Sequence, residues 1–435
     1  MDLLASPYVT PRIAFETLGC RANTYDSESM MAACRKLGFL VVPFEQEAEV
    51  YVVNTCTVTE SADAQGRQLL RKAHRKNQEA LVIATGCSAE MYPELIYQQN
   101  GVDAVFGTQN REELLQYLVD SFAAIDEPED TPSLEVPVEQ RRSRAYLKIQ
   151  DGCDNRCTFC IIWRARGKSR SKSIEELVED TNRLVKAGYK EIVLTGIHIG
   201  SYGKDLANKK NLADLIEALF ANTDLHRLRL SSLDPECVDE RIEQFFIKEL
   251  RMCRYLHLSL QSGSDEVIKQ MRRKTKSAQA CQLIERLAAN VPGMAISADI
   301  IAGFPGETVM DHEQTKELLA KSNFSWIHVF PFSARTGTAA ARRVDRLDPA
   351  LVKTRAKELT AIAQQKRLQF YQSQIGKTLE VVALSSTKGV SDNDVPVHLP
   401  AAEVVRGECY QVMVKEVLGR KVHGEWISAQ MTKSA

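Results

Sequence analysis

The chain has 435 residues, of which 44% are hydrophobic and 26% are charged, and its formal net charge is −1. This composition is typical of a soluble globular protein of two or three domains, and it excludes a chain that attracts nucleic acid through its overall charge. There is no run of 18 apolar residues and no signal-peptide core, so we expect a cytoplasmic protein. Eleven cysteines in a reducing compartment favour ligands and buried thiols over disulfides.

The first part of the chain, residues 10–125, alternates predicted strands with predicted helices. The strands are 12–18, 49–54 and 80–85, and the helical patterns between and after them are 24–37, 60–77 and 89–99. Alternation of this kind predicts an α/β domain with a doubly wound parallel sheet.

A cysteine follows each of these three strands, at Cys20, Cys56 and Cys87. Ligands of doubly wound sheets gather outside the carboxyl ends of the strands, where distant residues can meet. We therefore predict that these cysteines, named here the strand-end triad, hold an iron–sulfur cluster. The alternative is that cysteine is simply a small residue that is readily buried. The remaining cysteines away from the two predicted sites, Cys34, Cys237, Cys253, Cys281 and Cys409, share no spacing and are assigned no chemistry.

Residues 126–143 are acidic and contain prolines, which is typical of a linker. A second domain is predicted at 144–372. Its six short apolar strands are 145–149, 190–195, 226–231, 255–260, 295–301 and 326–332, with helical patterns such as 173–187 and 278–289 between them. Six βα units predict a partial parallel barrel, short of the usual eight, with its chemistry at the C-terminal mouth.

The loop after the first barrel strand contains Cys153, Cys157 and Cys160 in a C-x3-C-x2-C pattern. Three thiolates, named here the loop triad, suit three irons of a [4Fe–4S] cube and leave the fourth iron open to a substrate or cofactor. Zinc is the alternative, but it prefers four ligands and no fourth cysteine or histidine lies nearby in the sequence.

Polar and glycine residues at the other strand ends are expected to line the barrel mouth. The predicted cofactor-binding residues are Gly196, His198, Ser232, Gln261, Asp299 and Phe332. After the loop triad comes an alternating basic strip, which we predict to contact RNA phosphates. Its members are Arg164, Arg166, Lys168, Arg170 and Lys172.

The last part, residues 373–435, follows a long charged helical pattern at 355–374. Its predicted strands are 379–384, 395–398, 410–417 and 421–427. Short alternating strands predict a small all-β barrel, a module that often binds single-stranded or looped nucleic acid.

These motifs together resemble the radical S-adenosylmethionine (SAM) methylthiotransferases over nearly the whole chain, and the terminal barrel resembles their TRAM domain. The resemblance rests on the loop triad and on the segments that begin at Thr17, Val53, Ala84, Leu194, Leu258 and Asp299. The segments Thr-Leu-Gly-Cys-Arg-Ala-Asn and Thr-Gly-Ile-His-Ile-Gly-Ser-Tyr-Gly are most similar to the branch that acts on N6-threonylcarbamoyladenosine in tRNA. The branch that acts on isopentenyladenosine usually shows Tyr-Gly-Cys-Gln-Met-Asn, and the ribosomal-protein branch Leu-Gly-Cys-Pro-Lys-Asn. One departure is Trp163, where the family usually has proline.

The resemblance implies two [4Fe–4S] clusters and SAM as cofactors, with all six triad cysteines as catalytic and metal-binding residues. The loop triad's cluster would bind SAM and cleave it to a 5′-deoxyadenosyl radical, which removes hydrogen from carbon 2 of the adenine. The strand-end triad's cluster would hold the sulfur that is methylated and attached. The implied partners are the tRNA anticodon stem-loop, an electron donor such as flavodoxin or ferredoxin, and a sulfur donor. Alternatives left open are isopentenyladenosine or a ribosomal protein as acceptor, and a non-enzymatic RNA-binding Fe–S protein.

Overall fold

The computed structural model describes residues 10–122, 134–138, 142–401 and 404–428. No helix in these ranges is long and apolar enough to cross a membrane.

The N-terminal unit is a five-stranded parallel sheet with strand order β2-β1-β3-β4-β5. Its elements are β1 (Arg12–Thr17), α1 (Arg21–Lys36), β2 (Leu40–Val42), β3 (Val50–Thr55), α2 (Glu60–Lys76), β4 (Leu81–Gly86), α3 (Cys87–Met91), α4 (Pro93–Tyr97), β5 (Ala104–Val105) and α5 (Arg111–Ser121). All six residues of β3 are buried, because separate apolar cores cover the two faces of the sheet. The single helix predicted at 89–99 is two short helices, since Pro93 can begin a helix but cannot continue one.

The predicted linker lies mostly outside the described residues. Residues 134–138, 142 and 143 are described. The segment 134–138 packs against the folded protein: Val136 is buried in the main core, and the Ser29 hydroxyl of α1 donates to the Glu135 carbonyl. This short segment is therefore part of the packed structure. The domain boundaries predicted from sequence stay predictions.

The central unit has six parallel strands in chain order, each followed by helix. Its elements are β6 (Ala145–Asp151), α6 (Ile162–Arg166), β7 (Arg170–Ser171), α7 (Ile174–Lys186), β8 (Glu191–Gly196), α8 (Leu212–Asn222), β9 (Arg227–Leu230), α9 (Glu240–Lys248), β10 (Tyr255–Gln261), α10 (Asp265–Gln270), α11 (Ser277–Asn290), β11 (Ala295–Ala302), α12 (Val309–Lys321), β12 (Trp326–Pro331) and α13 (Pro349–Gln372). The short β7 adds to β6 in antiparallel orientation.

Continuous pairing divides these strands into the sheets β7-β6-β8-β9 and β10-β11-β12. Between β9 and β10 the described residues form only isolated bridges, at Leu228–Met252 and Leu233–Leu258. The result is the predicted partial barrel, whose strands pack against their covering helices to form the largest apolar core. The carboxyl ends of its strands face the same side, where ligands of parallel barrels bind.

The C-terminal unit is a closed five-stranded barrel with strand order β13-β14-β15-β17-β16. The strands are β13 (Thr378–Ser385), β14 (Lys388–Ser391), β15 (Pro396–His398), β16 (Cys409–Leu418) and β17 (Lys421–Ser428). The all-β prediction is confirmed, with β14 as an additional strand. At its junction with the central unit, the buried Glu191 pairs with Arg227 and Arg229, and Arg229 also donates to the Ser391 carbonyl at 2.9 Å.

Candidate functional site

The strand-end triad lies at one edge of the N-terminal sheet. Cys20, Cys56 and Cys87 each follow a strand, and those strands, β1, β3 and β4, are direct neighbours. Gly19 allows the backbone before Cys20 to lie close to Cys56. Its φ is +95°, and a Cβ placed there would lie 2.6 Å from the Cys56 sulfur. Burial raises the pKa of Cys56 to about 12 and also raises the pKa of Cys87.

The loop triad lies directly after β6. Its loop is held by backbone hydrogen bonds from Cys153 to the Gly167 carbonyl at 3.0 Å and from Thr158 to the Met271 carbonyl at 3.1 Å. Burial raises the pKa of Cys153 to about 12 and that of Cys160 to about 11. Both hydrogen bonds join the loop to other parts of the barrel, so the thiols stand on a supported loop.

The spacing of the thiols bears on which metal they suit. Among the described residues, one set of three potential metal ligands has all its ligand atoms within 4.8 Å of one another, and that set is His226, Glu380 and Cys409. Neither cysteine triad is that compact. Thiolates around a single zinc ion would be closer than this, whereas thiolates of a [4Fe–4S] cube bind separate irons and stand further apart. Both triads therefore fit a cluster better than a zinc ion.

A cavity of about 520 Å³ lies between the strand-end triad and the mouth of the partial barrel. The sheet contributes the triad itself, with Arg21 and Val58. The barrel side is formed by Ile162, Thr195, Gly196, Ile197, Ser231, Ser232, Tyr255, His257, Ser259, Asp299, His328 and Phe330. The two units thus build one site that neither would form alone.

Three of the predicted cofactor-binding residues, Gly196, Ser232 and Asp299, line this cavity. The other three are not among its described lining residues. His198 Nε2 lies 3.0 Å from Asp234 Oδ2, and Gln261 ends β10 with a φ of +73°. Phe332 packs edge-on against Phe304 with ring centroids 5.7 Å apart. A role of all six in cofactor binding stays a prediction.

A chain of hydrogen-bonded polar side chains on β10 and β11 was not predicted from the sequence. His257 Nε2 lies 3.1 Å from Asp299 Oδ2, its Nδ1 lies 2.7 Å from the Ser297 hydroxyl, and that hydroxyl donates to the Tyr255 oxygen at 2.9 Å. Beside it, burial and the neighbouring His257 lower the pKa of His328. A sequence pattern could have indicated this chain, because polar residues occupy alternating positions of otherwise apolar strands and alternating residues share one face of a sheet.

A buried ionic cluster joins the two units behind the strand-end triad. Asp26 of α1 pairs with Arg166 at 2.7 Å, with Arg111 at 2.9 Å and with Lys148. Asp151 pairs with Arg166 at 3.2 Å and Lys148 at 3.1 Å. Burial alone would raise the pKa of Asp26, but the three cations outweigh it and hold that pKa below its usual range.

The prediction that Arg166 contacts RNA is wrong. Its side chain is fully buried, and Nε lies 3.3 Å from the Cys87 sulfur while the rest of the guanidinium contacts Asp26, Asp151 and Asn23. Burial alone would lower its pKa, but Cys87 and the two carboxylates raise it well above the usual value. A guanidinium enclosed in this way is out of reach of a phosphate.

The other members of the basic strip differ in their surroundings. Arg164, Lys168 and Arg170 are exposed, and the Arg164 guanidinium lies 5.0 Å from the centre of the Trp163 ring. Lys172 is half-buried and pairs with Glu176 at 2.7 Å and Asp180 at 3.0 Å. Three of the five predicted RNA contacts therefore remain available to a phosphate.

The sequence of the chain matches known protein families. Residues 12–107 match the family described as uncharacterized protein family UPF0004, and residues 147–319 match the radical SAM superfamily. The chain is 37% identical to the threonylcarbamoyladenosine tRNA methylthiotransferase MtaB of Bacillus subtilis, over 92% of this chain and 93% of that one. The chain belongs to the radical SAM methylthiotransferases.

Other methylthiotransferases align over similar lengths. MtaB of Thermotoga maritima is 36% identical over 85% of this chain and 86% of its own. The ribosomal protein uS12 methylthiotransferase RimO of Lachnoclostridium phytofermentans is 33% identical over 85% and 87%. Among solved structures, the radical SAM methyltransferase TsrM of Kitasatospora setae superposes with a TM-score of 0.56 at 15% identity, covering 77% of each chain. That similarity concerns the fold alone.

As a radical SAM methylthiotransferase, this enzyme uses SAM and [4Fe–4S] chemistry. The residues present fit those cofactors, because each triad offers three thiols and the partial barrel opens onto a cavity that the strand-end triad lines, whereas the loop-triad cysteines are not among its described lining residues.

Proposed function

We propose that this methylthiotransferase adds a methylthio group to carbon 2 of N6-threonylcarbamoyladenosine next to the anticodon of tRNA. The observation that carries the proposal is the single cavity formed by the strand-end triad and the mouth of the barrel. The substrate is supported by the similarity, over most of the chain, to enzymes named for threonylcarbamoyladenosine in tRNA. A cavity of about 520 Å³ is large enough for a modified base.

The two triads have separate roles in this proposal. The loop triad would hold the cluster that binds SAM, and the strand-end triad would hold the cluster that carries the sulfur. Together the bound cofactors supply one-electron chemistry, which is needed because an unactivated aromatic C–H has no acid–base route at neutral pH. The chain's contribution is to place a base between the two sites, against apolar side chains that include Val58, Ile162 and Phe330.

A buried guanidinium stands beside one ligand of each triad. Arg166 Nε donates to the Cys87 sulfur at 3.3 Å, and Arg273 Nη1 lies 3.9 Å from the Cys157 sulfur. Arg273 is itself held by Asp234, 2.6 Å away. We infer that both arginines orient these ligands and stabilise the negative charge of the thiolates, since charge and hydrogen bonds at the sulfurs set cluster potentials.

The RNA-binding surface we propose consists of Arg164, Lys168 and Arg170, close to the loop triad, with the C-terminal barrel as a second contact. In that barrel Tyr410 and Trp426 pack edge to face, 5.3 Å apart. A TRAM-like role for the barrel, an electron donor such as flavodoxin or ferredoxin, a separate sulfur donor and a cytoplasmic location complete the proposal.

The test is methylthiolation by anaerobically reconstituted enzyme with SAM and a chemical reductant. The substrates are tRNA with threonylcarbamoyladenosine, tRNA with isopentenyladenosine, and the ribosomal protein uS12. Mass spectrometry of the products should show the 2-methylthio derivative of threonylcarbamoyladenosine alone. Modification of either other acceptor in preference to it would overturn the proposed substrate.

A further inference from the structure

Arg21 is the first residue of α1 and follows the triad ligand Cys20. It is half-buried and lines the cavity. Among the described lining residues it is the single lysine or arginine, and it forms no hydrogen bond or ion pair with a described residue. A guanidinium carries five donors and its charge is costly to bury unpaired, so a position like this favours an anionic ligand.

The cations nearest to the strand-end triad, unlike Arg21, form ion pairs. Arg111, Lys148 and Arg166 lie behind the strand-end triad, and all three pair with Asp26. Within the cavity, the carboxylate of Asp299 is already paired with His257, 3.1 Å away. Arg21 is therefore the guanidinium of this cavity that no described carboxylate contacts.

The part of the cavity wall that β12 contributes suits a planar ring. The rings of His328 and Phe330, both lining the cavity, are nearly parallel, with centroids 6.5 Å apart and an interplanar angle of 25°. A base that stacks on this wall extends its substituents toward the rest of the cavity. A carboxylate on such a substituent has Arg21 as its available cation.

We propose that Arg21 binds the carboxylate of the threonylcarbamoyl group and thereby makes the enzyme prefer this adenosine over one with a hydrocarbon substituent. The inference rests on the proposed function, because it concerns which group of that substrate is recognised. Guanidinium and carboxylate form two parallel N–H···O bonds, a geometry that lysine and glutamine do not reproduce. SAM also has a carboxylate, so the experiment must separate the two sources.

The experiment compares the wild-type enzyme with Arg21→Gln and Arg21→Lys. Each is assayed on an anticodon stem-loop RNA with threonylcarbamoyladenosine and on the same RNA with the threonyl carboxylate as its methyl ester. Arg21→Gln removes a charge-assisted hydrogen bond in a half-buried site, so its kcat/KM on the RNA with the free carboxylate should be roughly 10- to 100-fold lower than that of the wild type. The kcat/KM of Arg21→Lys should lie between those of the wild type and Arg21→Gln. The wild type should show a similar reduction on the ester, and Arg21→Gln should not distinguish acid from ester.

Two controls distinguish binding of the threonyl carboxylate from other effects of the substitution. Arg35→Gln removes an arginine from the last turn of the same helix, away from the cavity, and should behave as wild type. The KM for SAM and its RNA-independent cleavage should be unchanged in Arg21→Gln, and the iron content should match wild type. A raised KM for SAM with acid–ester discrimination retained would assign Arg21 to SAM and overturn the inference.

The wild-type measurement keeps the inference testable even where a variant loses its cluster. Equal kcat/KM of the wild type on acid and ester would overturn it. Wild-type enzyme that does not modify threonylcarbamoyladenosine at all would instead refute the proposed function. Failure of one proposal is therefore distinguishable from failure of the other.

Discussion

Replacing Asp26 with asparagine should destabilise the contact between the N-terminal sheet and the barrel more than any exposed ion-pair change. The ionic cluster has three cations and two carboxylates, and its side chains are at most 13% exposed. Asparagine keeps the shape of Asp26 but leaves three buried cations with Asp151 alone. Breaking a buried ion pair by removing one partner costs about 3–5 kcal/mol.

Hydrogen exchange of amides in α1, followed by mass spectrometry, measures this cost without assuming that the whole chain unfolds in one step. About 3–5 kcal/mol corresponds to a decrease in protection of roughly a hundredfold to several thousandfold. The matched control is Glu317→Gln, which breaks an exposed pair with Lys321 on α12 and should change protection there by about twofold or less.

A second change should partly restore protection. Lys148→Met in the Asp26→Asn background removes one of the uncompensated cations, so we expect the double variant to recover at least about 1 kcal/mol relative to additive effects. If Asp26→Asn costs no more than the Glu317→Gln control, the cluster does not stabilise the junction and the electrostatic reasoning fails.

Three further outcomes are expected. Alanine at all three positions of the loop triad should halve the iron content from about eight to about four atoms and abolish SAM cleavage. Alanine at all three positions of the strand-end triad should leave some SAM cleavage but abolish methylthio transfer. Methylthiolated product from this second variant would contradict the sulfur-carrier role. The lowered pKa of Asp26 and Asp151 means that their stabilising effect is fully present above about pH 4, the usual range for an unfolded aspartate, and is lost only as pH falls through the folded values. Protection of α1 should therefore be similar at pH 7 and pH 5 once corrected for intrinsic exchange, and a marked decrease by pH 5 would contradict it. Alanine at Arg164, Lys168 and Arg170 together should weaken tRNA binding and flatten its log–log salt dependence by about 0.7–0.9 for each phosphate that is no longer neutralised, while an unchanged slope in a salt series would move the RNA surface elsewhere.

Much of the fold follows from local patterns. Most predicted strands agree with the structure to within one or two residues, because alternating βα units with buried strands have a strong apolar signature. The loop triad could be recognised because its members are three or four residues apart on one loop. The strand-end triad required one topological rule, that neighbouring parallel strands end at the same edge. The four strands that were not predicted, β2, β5, β7 and β14, have two to four residues each, which is too short for a clear alternating pattern.

The surroundings of the charged residues were decided by the tertiary structure. Alternating Arg164 and Arg166 would share a face in a strand, but α6 turns the chain by about 200° over two residues, so one is exposed and the other is buried beside Cys87. Asp26 and Asp151 are distant in sequence and meet because the sheet packs against the barrel. Arg21 stands in a recognisable motif, yet its lack of a partner among the described residues depends on a cavity with walls from both units. The sequence by itself therefore determined the two cysteine triads and the strands that precede them. Long-range packing decided which cations pair with carboxylates and which remain available, because charge pairing depends on distances in space.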